Sequence, residues 1–152
     1  MKKILVIIFT CMLLCGCENK EAYKEQYINY KKQLFSSNMF TNDENLPLKI
    51  NINLKKEKSF INYNIIISDA TEDLNEMQVL VVHNQITNEV YPSLGIFNEK
   101  GNLKPNDNSK LELNGSFETN KDIEEVVVSF KFVIKYTDSE GIKKIIYYKT
   151  TK

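Results

Sequence analysis

The stretch IEEVVVSFKFVIKY, residues 123–136, is the longest strand-like segment of the chain. Apolar residues take every second position from Val126 onward, whereas Ser129, Lys131 and Lys135 occupy the other face. Successive side chains of a β-strand point to opposite faces, so this spacing gives one apolar and one largely polar face. We therefore predict a half-buried strand whose core-facing residues are Val126, Val128, Phe130, Phe132, Ile134 and Tyr136.

Six other segments have β-like patterns and are bounded by turn residues. The segment NEVYPSLGIFN, residues 88–98, contains Pro92 and Gly95, which predicts an edge or bulged strand. The following GNLKPNDNSK, residues 101–110, has the composition of turns throughout. The remaining five predicted strands are LKININLK (48–55), SFINYNIIIS (59–68), MQVLVVHN (77–84), LELNGSF (111–117) and IKKIIYYK (142–149).

Seven short strands with no helical segment between them favour an antiparallel sandwich of two sheets for residues 47–152. This arrangement resembles the immunoglobulin-like architecture in general. The sequence lacks the buried tryptophan and the paired cysteines of antibody domains, so the resemblance names no family. A small barrel is the alternative. The predicted fold class is all-β: a seven-stranded antiparallel immunoglobulin-like β-sandwich, preceded by a signal segment and a short amphipathic helix.

Residues 1–16 have the features of a secretory signal peptide. Two lysines precede the apolar stretch Ile4–Leu14, which is too short to cross a bilayer comfortably. The next motif, Leu14-Cys15-Gly16-Cys17, resembles the lipobox of bacterial lipoproteins, with an aliphatic residue, a small residue and then the cysteine. The resemblance implies cleavage between Gly16 and Cys17 and attachment of a diacylglyceryl group to Cys17. An ordinary signal peptide with an accidental cysteine is the alternative.

Residues 17–46 form a second region, predicted as a lipidated N-terminus, a helical stalk and a linker. Tyr23, Tyr27, Tyr30 and Leu34 are four, three and four residues apart, which places them on one face of a helix. An isolated helix of this length is marginal in water, so its apolar stripe needs a partner. That partner is either the protein's own domain, which we favour, or the bilayer surface or another envelope protein.

Composition narrows the classes of partner. The chain has 20 basic and 20 acidic residues, and loss of Lys2 and Lys3 with the signal peptide leaves 18 basic residues against 20 acidic ones. No basic field remains to attract nucleic acid. Every basic residue is lysine, a bias typical of AT-rich genomes such as those of many Gram-positive bacteria. Without arginine, bidentate clamps for phosphate or carboxylate are disfavoured.

The residues that usually carry catalysis or hold metals are few. His83 is the only histidine, and no serine has the context of a nucleophile elbow. Glu124 and Glu125 are adjacent on a predicted strand and would face opposite sides. The acidic stretches SDATED (68–73) and PNDNS (105–109) lack the regular spacing of a calcium loop, so we interpret them as polar loops. We predict no catalytic residue, metal or cofactor.

The remaining candidate is a surface for a protein partner. VYPSLGIF, residues 90–97, brings Tyr91, Leu94 and Phe97 to a predicted sheet edge, where they either contact a partner or close the end of the sandwich. The sequence thus predicts a non-catalytic lipoprotein on the extracytoplasmic face of the cell membrane that binds or scaffolds another envelope component. The alternative is a small-ligand or ion-binding accessory subunit of an envelope transporter.

Overall fold

A computed structural model describes residues 20–152 of the chain. A helix, α1, covers residues 20–36. The strands that follow are β1 (Lys49–Glu57), β2 (Phe60–Ser68), β3 (Leu74–His83), β4 (Ser93–Leu94), β5 (Gly101–Leu103), β6 (Leu111–Glu118), β7 (Ser129–Thr137) and β8 (Lys143–Thr151). Short 3-10 helices lie at Asp43–Asn45 and Ile123–Glu125.

The strands form two antiparallel sheets, as the sequence predicts. One sheet has the order β1-β2-β6, and the other has the order β4-β3-β7-β8, with β5 also paired to β3. In immunoglobulin domains, strands A, B and E share one sheet and strands C, F and G share the other. Here β1, β2 and β6 correspond to the first set and β3, β7 and β8 to the second. The all-β sandwich prediction is confirmed.

The alternating residues of the sequence form the core between the two sheets. All six core-facing residues predicted from 123–136 are buried, as are Ile61, Tyr63, Ile65 and Ile67 of β2. Leu113 and Phe117 of β6 are also buried, and Ile50 and Leu54 of β1 pack against the same cluster. Period-two spacing therefore identified the inner faces of β1, β2, β6 and β7 correctly.

The predicted strand at residues 123–136 begins later than expected. Ile123–Glu125 is a 3-10 turn and β7 starts at Ser129, so Glu124 and Glu125 do not lie on a strand. The cause is in the loop before it, because the Lys56 ammonium donates to the carbonyl oxygens of Thr119 and Lys121 at 2.7 Å each. These bonds fold residues 119–125 across the end of β1. The alternation resumes at Val126, which is buried although it precedes the strand.

Two further predictions, both near the edge of the five-stranded sheet, are wrong. The long edge strand expected at residues 88–98 contracts to Ser93–Leu94, since Pro92 and Gly95 on either side interrupt pairing with β3. Conversely, residues 101–103 were predicted as turn but form β5, whose Leu103 is buried. A strand of three residues is too short to show a period, which is why the sequence gives no sign of it.

Helix α1 forms a third layer on the outer face of the five-stranded sheet. Tyr30 and Leu34 are buried there against Leu80 and Val82 of β3. Lys131 on β7 adds a hydrogen bond from its ammonium to the Leu34 carbonyl oxygen at 3.2 Å. The expectation that the stripe packs on the protein's own domain is confirmed for Tyr27, Tyr30 and Leu34, whereas Tyr23 is 43% exposed. Within residues 20–36 the helix lies along the sandwich instead of extending from it as a stalk.

Replacing Gly115 with alanine should destabilise the three-stranded sheet. Gly115 on β6 lies directly opposite Tyr63 on β2, and a Cβ at Gly115 would collide with the Tyr63 ring and hydroxyl. We expect a loss of about 1–3 kcal/mol in the free energy of unfolding, typical of overpacking. Urea unfolding measures it, and the same substitution in a Tyr63→Leu background is the control, because the ring and hydroxyl atoms nearest to the new Cβ are then absent. An unchanged stability in Gly115→Ala would contradict this packing.

Candidate functional site

A pocket of about 390 Å³ lies between α1 and one end of the five-stranded sheet. One wall comes from the helix, and the floor and opposite wall come from β3, β7, β8 and Lys100 ahead of β5. The pocket exists because α1 packs on the sheet, so neither element forms it alone. Its lining residues are Gln26, Tyr30, Glu76, Gln78, Lys100, Lys135, Tyr136, Thr137, Lys143, Lys144 and Ile145.

A bulge in β3 forms the rim of this pocket. The register of β3 shifts between Asn75 and Gln78 against β7, and it shifts at the same place against β5. Glu76, inside the bulge, has φ = 52°, a left-handed conformation that costs energy for a residue with a Cβ. Its N–H donates to the Asn102 side-chain oxygen at 2.9 Å, which holds the bulge. Such bulges re-aim side chains and occur often beside functional sites.

A network of amides and one hydroxyl joins the helix to the pocket floor. The Gln26 side-chain amide donates to the Tyr30 hydroxyl oxygen at 2.8 Å and to the Gln78 side-chain oxygen at 3.0 Å. The Gln78 amide in turn donates to the Gly95 carbonyl oxygen at 2.7 Å. Gln78 therefore ties α1, β3 and the β4–β5 loop together and fixes the shape of the pocket.

The pocket is positively charged. Lys100 pairs with Glu76 at 3.5 Å, and Lys144 pairs with Asp138 at 3.1 Å. Lys135 and Lys143 have no carboxylate within 4.0 Å in the part of the chain described, residues 20–152. The Lys135 ammonium instead lies 4.4 Å from the centre of the Tyr30 ring. Two lysines thus bring charge that no carboxylate of residues 20–152 neutralises to one concave surface.

The predicted partner-binding residues do not form one exposed patch. Tyr91 is 9% exposed and packs under α1, where its N–H donates to the Tyr27 hydroxyl oxygen at 2.9 Å. Leu94 packs against the main core. Phe97 is 53% exposed, with its ring 5.3 Å from that of Tyr27. Tyr91 therefore fills the space between helix and sheet, Leu94 packs on the core between the two sheets, and of the three only Phe97 is available to a partner.

His83 is enclosed in the core by aromatic rings. It is 3% exposed, and neither ring nitrogen has a hydrogen-bond partner among the described residues. Its neighbours are Tyr63, Tyr91, Phe117 and Phe130, with ring centroids 5.0–6.0 Å away. Burial lowers the pKa of His83 from 6.5 to about 4, because the cage cannot solvate the charged imidazolium. This histidine is a neutral core residue at physiological pH.

The acidic loops are engaged by the protein's own donors. Glu72 accepts a hydrogen bond from the Tyr136 hydroxyl at 2.6 Å and pairs with Lys144 at 3.2 Å. Asp107 accepts a hydrogen bond from the Ser109 hydroxyl at 2.6 Å, and this bond lowers the pKa of its carboxyl. Across residues 20–152, no three His, Cys, Asp or Glu side chains are grouped so that they could hold a metal ion.

The predicted lipidation site, Cys17, and the cleavage site between Gly16 and Cys17 lie outside the described residues. In the described part, no helix has the length and apolar character needed to cross a bilayer. The lysine pocket was not identified from the sequence. A usable signal is the turn-like sequence TDSEG, residues 137–141, since a tight turn there brings Lys135 and Lys143 to the same face of neighbouring strands.

No family model matches the chain, and no curated protein matches it. Among solved structures, the chain is similar to the sporulation control protein Spo0M from Bacillus subtilis, with 10% sequence identity and a TM-score of 0.28. The match covers 68% of this chain and 48% of Spo0M, so this chain spans about half the length of that protein. A similarity this low carries no argument about function.

Proposed function

We propose that the protein is a non-catalytic lipoprotein of the cell envelope, anchored through Cys17, whose sandwich binds or scaffolds another envelope component. The observation that carries the proposal is the lipobox-like motif directly ahead of a helix that belongs to the folded domain. Only residues 18 and 19 separate Cys17 from the helix at residue 20. Three extended residues span at most about 11 Å, so a lipid on Cys17 would hold the domain against the membrane.

The packing of α1 also gives the proposed anchor an orientation. Gln26 lies near Thr137 and Lys143, where β7 ends and β8 begins. The start of the helix is about 9 Å further along its axis, at a rise of 1.5 Å per residue. The membrane-facing end of the sandwich in this proposal therefore carries the β7–β8 turn. The opposite end carries the exposed apolar side chains of Phe60, Ile86 and Val127, and it faces away from the membrane.

The anchor is tested by replacing Cys17. In the Cys17→Ala variant we expect no incorporation of labelled palmitate and loss of the protein from the membrane pellet, because a diacyl anchor supplies two acyl chains and stable attachment needs two such signals. Cys15→Ala is the matched control, since it changes a neighbouring cysteine and keeps the lipidated one. Labelling and fractionation of intact cells measure both. Equal membrane retention of Cys17→Ala and the unmodified protein would refute the anchor.

The scaffolding part of the proposal requires a partner. Crosslinking in intact cells followed by purification of the protein should recover the same envelope protein repeatedly, and less of it from cells that express Cys17→Ala. The local concentration of a membrane partner falls once the domain is no longer tethered beside it. No reproducible partner in either strain would count against scaffolding and leave the anchor unaffected.

A ligand-binding accessory subunit is the second candidate function. The observation that favours it is the lysine-lined pocket between α1 and the sheet, which offers a concave, charged surface. No group of three or more possible metal ligands is found over residues 20–152, so the ion-binding form of this candidate has less support than the small-ligand form.

A further inference from the structure

We propose that the pocket between α1 and the five-stranded sheet binds an oxyanion: a phosphate or carboxylate group of a small molecule or of a lipid headgroup. The proposal goes beyond envelope anchoring and does not depend on it, since every residue involved belongs to the folded domain. It rests on three features of the pocket: excess positive charge, unused hydrogen-bond donors and a rigid frame.

The charge comes from lysines that no carboxylate of residues 20–152 neutralises. Of the four lysines in the lining, Lys100 and Lys144 pair with carboxylates, whereas Lys135 and Lys143 do not. The two free ammonium groups extend from neighbouring strands, because Lys143 is paired with Thr137, two residues beyond Lys135. Clustering like charges without a counter-ion is unfavourable. An anion between them removes that repulsion.

The pocket also holds hydrogen-bond donors that are not fully used. The two N–H groups of the Gln26 amide are both used, but the Gln78 amide donates only one of its two to Gly95. The Tyr30 hydroxyl is 3.5 Å from the Gln78 side-chain oxygen, at the limit of a hydrogen bond, so its proton is available to a better acceptor. An oxyanion offers only acceptors and therefore complements this surface.

The frame holds these groups in place before any ligand arrives. Tyr30 is 5% exposed and fixed between α1 and β3, and Lys135 lies over its ring. The bulge requires Glu76 to adopt an unfavourable left-handed backbone conformation, and it places Gln78 in the lining of the pocket. Lysines act as point charges and do not demand the planar geometry that arginine does, so a tetrahedral phosphate and a planar carboxylate are both accommodated.

The test is a titration of the full chain, purified in a non-ionic detergent, with sodium phosphate at constant ionic strength. We expect saturable chemical-shift changes confined to residues that line the pocket, including the Gln78 side-chain amide. The double variant Lys135→Gln/Lys143→Gln should bind phosphate about tenfold more weakly, since charged hydrogen bonds are lost. Lys149→Gln is the matched control, because Lys149 lies on β8 with the same side-chain direction as Lys143, away from the pocket.

Three probes distinguish the source of the oxyanion. Sodium acetate represents a carboxylate, inorganic phosphate a soluble phosphate, and a short-chain phosphatidylglycerol a lipid headgroup. Tighter binding of the phosphatidylglycerol than of phosphate would identify a headgroup, and the reverse order would identify a soluble ligand. Preference for acetate would identify a carboxylate. Each of these outcomes supports an oxyanion site, provided that the Lys135→Gln/Lys143→Gln variant binds the preferred probe more weakly than the unmodified chain does.

Two results would overturn the proposal. One is the absence of saturable binding of any of the three probes to the unmodified chain. The other is equal weakening in the Lys149→Gln control and in the single variants Lys135→Gln and Lys143→Gln, each of which removes one charge, because this would indicate a general effect of net charge. Circular dichroism of each variant establishes that α1 remains folded. The Cys17→Ala fractionation is independent of this titration, so either proposal can fail without the other.

Discussion

Replacing Leu34 with alanine is expected to lower the free energy of unfolding by about 2–5 kcal/mol, the range found for leucine truncation in a packed core. Leu34 is fully buried between α1 and the five-stranded sheet, in the same cluster as Leu80 and Val133. The truncation leaves a cavity that the helix cannot fill without moving its other contacts. Urea unfolding followed by far-ultraviolet circular dichroism measures the loss for helix and sheets together.

The control for this prediction is on the same helix. Ile28→Ala removes an apolar side chain that is 39% exposed, so its effect should stay within roughly 0.5 kcal/mol. A small effect of Leu34→Ala, or loss of the helical signal well before the sheets unfold, would show that α1 is a detachable segment. The lysine pocket would then be transient, because α1 supplies one of its walls.

The sequence predicted the inner faces of β1, β2 and β6 well, because each of these strands is buried on one face only. Ile61, Tyr63 and Ile65 alternate with Asn62 and Asn64, and the period shows directly which face is covered. β3 differs, since Val79, Leu80, Val81 and Val82 are all buried. A continuous apolar run of this kind indicates a strand covered on both faces. It is the local sign that α1 packs on this sheet.

The candidate pocket was less accessible to sequence reasoning. Its lysines are separated by up to 44 positions and look like ordinary solvent-exposed residues, since Lys100, Lys135 and Lys143 each fit a surface pattern. Their convergence depends on the bulge at Glu76 and on the docking of Gln26 and Tyr30 against β3. Both are tertiary features. Lys135 and Lys143 differ from the other lysines of the pocket because no carboxylate of residues 20–152 lies near them. Which groups lie near a lysine is known only from the fold.

Acidification should destabilise the domain through His83. In the unfolded chain this histidine titrates near 6.5, whereas in the folded state its pKa is about 4, so the unfolded state binds more protons between these values. The contribution of neutral His83 to stability is complete above pH 6.5 and is lost as the pH falls to 4. A difference of this size corresponds to about 3 kcal/mol.

Among residues 20–152, no charged side chain compensates for protonation of this histidine. The rings that face it belong to Tyr63 on β2, Phe117 on β6, Phe130 on β7 and Tyr91 in the loop after β3. Burial also raises the pKa values of Tyr63 and Tyr91, so both stay uncharged in this range and cannot stabilise an imidazolium as anions. The cage therefore resists the charge from every side, and local opening of the sandwich is the route by which the proton enters.

The His83→Leu variant isolates this effect from the carboxylates, which lose their own contributions at lower pH. Leucine fills a similar volume with no polar atom, so the variant should be at least as stable as the unmodified chain at neutral pH, because two unpartnered nitrogens are removed. Its stability should then change little between pH 6.5 and 4. Urea unfolding at a series of pH values measures both proteins. Parallel curves would mean that His83 does not titrate with folding, and the closed aromatic cage would have to be abandoned.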